Sequence, residues 1–502
     1  KTVMVNEDPA IANPREAYSL TIGVKAILNV KNDTLTISEA TINKGIINIF
    51  KDASILFGLN FPDSTTKNAG SLNNNDGNMI FYNNFLNEYD FDNRGFAAFQ
   101  RNLTQTIDSF SSKRGTISFF GGYEQNVRTT YFSTHKLSID KEPRTSVNID
   151  DTLMATQEID LNEIHLNSGV LRTGKNTIDI NHATSSGYDP LIKPLWENAG
   201  GEFEGTGNVS FAGCTTINGS GRFNRMTIHE GGCIEGGLNI EPINSNIDIA
   251  TNTIEIKKGK LRLNGNNLEI RGSGTGDKRP LISTSSGIDT FEKGNVIFSA
   301  SAPTELTGDT QYYDLTFTGT GPYTFKNLPL ITTRIVNRIS VDAASTVNIA
   351  DGHNLQVDGP INNDGLINVG VGSQFIHPAE YVTFTDVAGT KVFEYTAPTR
   401  VYIEIKDTNR NLDGTMADNI EATLVSESGG VLKDGETILL IETEPNTGIF
   451  RGKIDFLNDT PTVENGLLEM DDFGSTRVTY TDIYDATDVK TDFVPLNLPD
   501  VI

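Results

Sequence analysis

The chain has 502 residues, and its 65 acidic side chains against 40 basic ones leave a net charge of −25. A field of that sign repels phosphate backbones and anionic lipid, so neither nucleic-acid binding nor docking on a membrane surface is expected. Two cysteines do not make a disulfide scaffold, and no apolar run approaches the ~18 residues that span a bilayer.

The chain opens on KTVMVNEDP without a starting methionine, the form of a processed mature end. From about residue 30, short runs alternate apolar and polar side chains between Gly and Asn: TLTISEATI, GTISFF, KLSID, NTIDI, NVSFAG and NLEIRG. Period two with such boundaries predicts strands and turns, and no capped 3.6-residue stripe predicts a helix. Residues 1–114 read as a degenerate first unit or cap.

Beyond residue 114 the elements repeat. A G-x-[IV]-x-F strand recurs at Gly115, Gly207 and Gly294, spaced by 92 and 87 residues. An aromatic-led strand follows, ending at Ile139, Ile228 and Phe317, each 89 residues apart. GVLRTGKNTIDI and GKLRLNGNNLEI place Gly169 opposite Gly259, and Ile180, Ile270 and Val357 close the units. Strands of four to six residues cannot bury a core alone, whereas stacked rungs share one apolar column. Residues 115–394 are therefore expected to form a right-handed β-helix of three super-repeats of about 88 residues, each roughly four coils of about 22 residues. A string of small sandwiches is the competing architecture, but Pro-rich linkers between units are missing. Gly and Asn at the corners are expected to supply positive φ. The aromatics at repeat spacing (Phe119, Phe211, Phe298; Tyr131, Phe223, Tyr312) read as core. Cys214 and Cys233, 19 residues apart, would stack on adjacent coils as thiols or as one disulfide.

The order NNDGNMIFYNNFLN, GTISFFGGYEQNV, TYFSTHKLSI, GVLRTGKNTIDI resembles the repeats of large secreted surface proteins and adhesins of Bacteroidetes-type bacteria, over residues 30–375. Only Gln125 supplies the Gln that follows the second element in that group. The resemblance implies export to the outer surface and a role in adhesion, gliding or surface coating.

Near residue 395 composition shifts to longer, charged strands: RVYIEIKD, NIEATLVSE, ETILLIETE, GIFRGKIDF and RVTYTDIYD. Five to seven strands in this span predict an immunoglobulin-like β-sandwich over 395–490, with 491–502 as tail or linker. The D-x-N-x-N-x-D turn, the L-x-E-T-x-x-N-T-G-x-F pair and the closing V-T-Y-x-D resemble sandwich modules of bacterial and archaeal S-layer and other large surface proteins. In that turn Asp407, Asn409, Asn411 and Asp413 alternate, so hard oxygens at every second residue could meet at one calcium ion. The loop lacks the sixth-position Gly and twelfth-position Glu of an EF-hand, and Glu442, Asp482 and Asp485 are the acids expected to complete a shell. The competing reading is an Asx-turn without an ion.

No catalytic signature stands out. The six histidines (His135, His165, His182, His229, His353, His377) lack zinc-ligand spacing, and there is no G-x-S-x-G elbow, P-loop or dinucleotide fingerprint. A carbohydrate-active β-helix, lyase or glycosidase, is the alternative, with Asp179, Asp248 and Glu269 as acids that neighbouring coils could gather. Trp196 is the single tryptophan, where sugar grooves use several aromatic platforms. The expectation is thus a non-enzymatic extracellular protein of the cell surface: a coat, filament or adhesin stalk. Its partners would be copies of itself, other surface proteins or surface glycans, with no catalytic residue and no cofactor beyond calcium.

Overall fold

A computed structural model describes residues 2–5, 15–106, 110–149, 158–180, 194–212, 215–229, 238–241, 248–257, 260–283, 289–307, 310–326 and 332–498. Cys214, Cys233 and His182 lie outside the described residues. The described residues carry strands and two single-turn 3₁₀ helices. The chain divides into two compact units, Lys1–Arg271 with Leu281–Gly294, and Gly272–Pro280 with Asn295–Ile502.

The first unit is a β-helix. Its rungs pair in parallel: Ile27 lies opposite Ile46 and Ile46 opposite Ser71, which makes successive coils 19 and 25 residues long. Two further parallel stacks complete the coil. One runs through nine strands from Leu20–Ile22 to Glu202–Gly205, and the other includes Thr34–Ile37, Ser54–Phe57, Asn78–Phe81 and Phe96–Phe99. Phe119 pairs with Ile139, Ile139 with Leu166, Leu161 with Ile180 and Ile180 with Phe211, so four rungs separate two copies of the repeated strand.

Two kinds of side-chain column hold the rungs together. Phe57, Phe81 and Phe99 are fully buried and stack with centroids 4.7 and 4.8 Å apart at interplanar angles of 10° and 2°. Coils at one register thus add aromatic contact as well as buried area. The second column is polar. Asn43 Nδ2 donates to Asn68 Oδ1 (2.7 Å), Asn68 to Asn87 (2.6 Å) and Asn87 to Gln105 Oε1 (2.6 Å). A parallel ladder runs from Asn74 to Asn93 to Ser112. These amides also bond corner backbone, as Asn68 does to Asp90 O and Gly77 N to Asn74 Oδ1. Further on, Gln125 takes the corner, donating to Phe99 O and Arg101 O. The buried Lys141 ammonium meets Gln125 Oε1, Phe120 O and Tyr123 O. Its burial lowers the amine pKa to about 8.

Asparagine has two roles. Among the described residues nine non-glycine residues have positive φ, Asn32, Asn264 and Asn446 among them as expected; the ladder asparagines instead work inside the coil. The glycines that open the repeated strand are not at positive φ either. A Cβ at Gly115 would collide with Asn93 and Gly95 O, and one at Gly207 with Asn176 O, so these positions demand close approach to the coil beneath. Phe119, Phe211, Phe298, Phe223 and Tyr312 are core as expected, whereas Tyr131 is only half-buried. Trp196 is fully buried, edge-on to Phe203 and Phe223.

The second unit continues the same coil pattern and then changes architecture. Phe298 pairs with Phe317, Phe317 with Val341 and Ile335 with Val357, again in parallel. Strands Thr304–Leu306, Pro322–Phe325, Thr346–Ile349 and Leu366–Val369 form another face. From Tyr381 to Asn497 the pairing is mostly antiparallel. One nine-stranded mixed sheet runs Tyr381–Thr385, Thr399–Lys406, Ile449–Leu457, Val431–Glu442, Asn419–Ser428, Gly474–Thr481, Val489–Asn497, Tyr395–Thr396, with Leu467–Glu469 beside Ile449–Leu457. The sheet curls around a single core that includes Phe384, Val401, Leu424, Leu440, Phe450, Phe456, Leu468 and Val478. Asp492 on the seventh strand accepts from Thr383 Oγ1 and Phe384 N on the first, which ties the two ends of the curl together.

Candidate functional site

The D-x-N-x-N-x-D turn leaves the strand Thr399–Lys406 and makes one 3₁₀ turn at Thr408–Arg410. Alternation here separates inward from outward side chains. Asp407, Asn409 and Asn411 are 0, 0 and 3 % exposed. Asp413 faces out, and its Oδ1 accepts from Thr415 N and Oγ1 in a local Asx turn. That contact holds its carboxyl below the usual range. The structure therefore buries three of the four predicted oxygen donors and holds the fourth in a separate Asx turn.

The inward three dock the turn onto the last coil of the β-helix. Asn409 Nδ2 donates to Phe375 O (2.8 Å) and His377 O (3.0 Å), carbonyls of that coil, and to Asp482 Oδ2 (2.9 Å). Asn411 O accepts from Asn363 Nδ2, and its own Nδ2 donates to Asn446 Oδ1. Leu412 O accepts from Ile367 N, Gly414 N donates to Gly365 O, and Leu366 bridges Asp413 antiparallel. Asp407 Oδ2 accepts from the buried Tyr480 hydroxyl.

These contacts leave one set of atoms unsatisfied. Asp407 Oδ1, Asn409 Oδ1 and Asn411 Oδ1 are buried without a hydrogen-bond partner, as are Thr408 Oγ1 and the Arg410 Nε donor. Buried acceptors in that state are uncommon and costly. Burial raises the Asp407 carboxyl to about 7 despite the Tyr480 bond, and it raises Asp482 as well. Burial and the adjoining Asp407 raise the Tyr480 phenol.

Of the three acids expected to complete a shell, Asp482 alone adjoins the turn with this buried network. Glu442 is committed to backbone: its Oε1 accepts from Thr447 N and Gly448 N, its Oε2 from Asp418 N. Asp485 accepts from Thr487 N and Oγ1 in its own turn. The sequence reading missed Tyr480 and the coil carbonyls; the tyrosine of V-T-Y-x-D was the available signal.

A second cluster lies on the first unit. Glu163 is shared by His165 (3.1 Å) and His135 (3.8 Å), and His165 also meets Glu197. The His165 bond holds Glu163 below its usual range. Asp160 and Asp179 are register partners on adjacent rungs. Tyr131 Oη donates to Asp160, and His229 Nε2 lies 3.2 Å from Asp179. Burial raises the Asp160 carboxyl, the Tyr131 bond opposes this, and Asp179 adds to it. The triad considered for carbohydrate chemistry is divided differently. Asp179 belongs to this cluster, Glu269 is engaged by Arg271, and Asp248 pairs in register with Asn267. Linear spacing could not show the His135–Glu163–His165 grouping, because it depends on which rungs stack. Among the described residues, no group of three or more His, Cys, Asp or Glu is placed to hold a metal ion.

No protein-family model matches the chain, and no curated protein matches it.

Proposed function

We propose that this chain is an extracellular structural or adhesive protein of the cell surface, working by repeated contact or self-assembly through its outer faces. One observation carries the reading: the repeating aromatic and amide side chains are consumed between rungs. The phenylalanine column, the asparagine ladders and the single tryptophan all lie inside the coil. What remains outside is the outward face of repeated parallel strands, suited to multivalent contact with copies of itself, other surface proteins or glycans. The curled sheet fits the role of an immunoglobulin-like, S-layer-type module that finishes the repeat array. Sedimentation velocity, negative-stain imaging and glycan-array binding on the purified chain test this. Assembly or saturable binding without turnover is expected; degradation of a member of a polysaccharide panel overturns it.

The stacked Asp160 and Asp179, with Tyr131 and His229 against them, favour one alternative, a carbohydrate-active β-helix. Two carboxylates in register on adjacent rungs are the elements of acid–base glycoside cleavage. Under that alternative Asp160→Asn abolishes turnover on the panel; under the proposed function there is no turnover to lose.

A further inference from the structure

We propose that the Asp407–Asn411 turn binds one calcium ion through Asp407, Asn409 and Asn411, with Asp482 as the balancing charge, and that the ion clamps the curled sheet onto the last coil. Asp413 takes no part.

The argument begins with the three buried oxygens that lack partners. They lie within five consecutive residues, all three are acceptors on side chains at most 3 % exposed, and the Thr408 hydroxyl and Arg410 Nε of the same turn are unpartnered beside them. Turning the amides over does not relieve them. Asn409 Nδ2 is fixed by Phe375 O, His377 O and Asp482 Oδ2, and Asn411 Nδ2 by Asn446 Oδ1. A flip would exchange one unsatisfied acceptor for several. A single water carries two protons, one fewer than the acceptors it would have to serve. A cation serves all of them.

Ligand chemistry selects the ion. The donors are carboxylate and amide oxygens, with no thiolate or imidazole among them, which favours a hard cation over zinc or copper. Calcium accepts irregular sets of oxygens and takes carbonyls and water for the remainder, whereas magnesium demands near-ideal octahedral geometry. The Asp407 and Asp482 carboxylates give the net charge such an ion needs. The Arg410 guanidinium is the nearby opposing charge, and it lies over the Tyr484 ring, 5.2 Å from its centroid. A groove of about 590 Å³, lined by Arg410, Tyr480, Asp482 and Ile483 among others, opens beside the turn and offers a way in.

The consequence is mechanical. The same turn contributes Asn409 and the Leu412 carbonyl to the last coil, so an ion that stiffens it also fixes the curled sheet to that coil.

The experiment uses the full chain stripped with EDTA. Terbium, a luminescent calcium substitute, should be sensitised by Tyr480 and displaced by calcium. Calcium at about 5 mM, above the range of many extracellular modules, should raise the melting temperature by several degrees. Asp407→Asn places an amide N–H among the unpartnered oxygens. It should weaken calcium binding by about 100-fold or more yet melt no lower than the stripped wild type. Asp413→Ala should bind as the wild type does. Equal response to magnesium overturns the assignment to calcium. Absence of both terbium sensitisation and a calcium-dependent shift in the wild type overturns the site, leaving water as its occupant. Loss of binding in Asp413→Ala with retention in Asp407→Asn overturns the ligand set. All these readouts are independent of whether the protein coats, adheres or cleaves.

Discussion

The early coils and the curled sheet bury polar groups in opposite ways. In the coils the buried polarity is amide on amide, Asn43 to Asn68 to Asn87 to Gln105. In the curled sheet it is carboxylate on backbone. Asp434 accepts from Gly435 N and Glu469 N, Glu436 from Asn465 N and Gly466 N, and Glu442 from three amides. Translation explains the difference. A stacked position meets its own kind above and below, about 4.8 Å away, so only a side chain that both donates and accepts can propagate. A carboxylate is acceptor-only when ionised, and a column of them would repel. A curled sheet of non-repeating strands has no repeated position, so each acid can be given its own loop of N–H groups.

Four experiments press on this contrast. Phe81→Ala opens the centre of the aromatic column and should cost the first unit about 3–5 kcal/mol. Hydrogen exchange should show the loss concentrated in the coils that carry Phe57 and Phe99; uniform loss would contradict a stack of nearest-neighbour rungs. Asn68→Asp makes a nearly isosteric change and should cost about 3 kcal/mol at neutral pH, because an ionised group replaces a donor that Asn87 requires. Burial raises the new carboxyl's pKa, so the penalty should shrink as acid protonates it and restores a donor; a pH-independent penalty would break the argument. Glu442→Ala removes the acceptor of three backbone amides and should cost the curled sheet about 2–3 kcal/mol, with Glu442→Gln recovering part of it in denaturant melts.

The smallest effect concerns His353, which is fully buried, bonded to Thr333 Oγ1 and stacked on Phe325. Burial lowers its pKa below 6.5 in the folded chain, so the unfolded chain takes up the proton first on acidification. The neutral ring's contribution is therefore complete above about pH 6.5 and lost as pH falls through the interval below it. Melting curves between pH 8 and pH 5 should flatten in His353→Gln.

The β-helix was legible because its signals are periodic. Gly115, Gly207 and Gly294 recur together with the phenylalanine four residues on, and each such phenylalanine is core. The purpose of the periodic residues was less legible. An asparagine at positive φ and one inside a ladder look alike in sequence, since both Asn264 and Asn68 lie at or just beyond the end of a short strand. Tyr131 lies eight residues before its strand end, Phe223 and Tyr312 five before theirs, and it turns partly outward to Asp160, a partner supplied by the next rung. In the candidate site, alternation put Asp407, Asn409 and Asn411 on one side of the turn, and all three are buried. It could not foresee that Thr415 would take Asp413 into a turn of its own.

The bonds from Asn409 to Phe375 O and His377 O, and from Ile367 N to Leu412 O, have a further effect. A parallel stack ends in a row of open backbone groups, a template on which a foreign strand can add. Here that row is met by a turn and an antiparallel bridge, neither of which offers the spacing of another rung. Elongation from this end is thereby blocked, so a chain cut just before Tyr381 should recruit other chains at its bare terminus and form fibres.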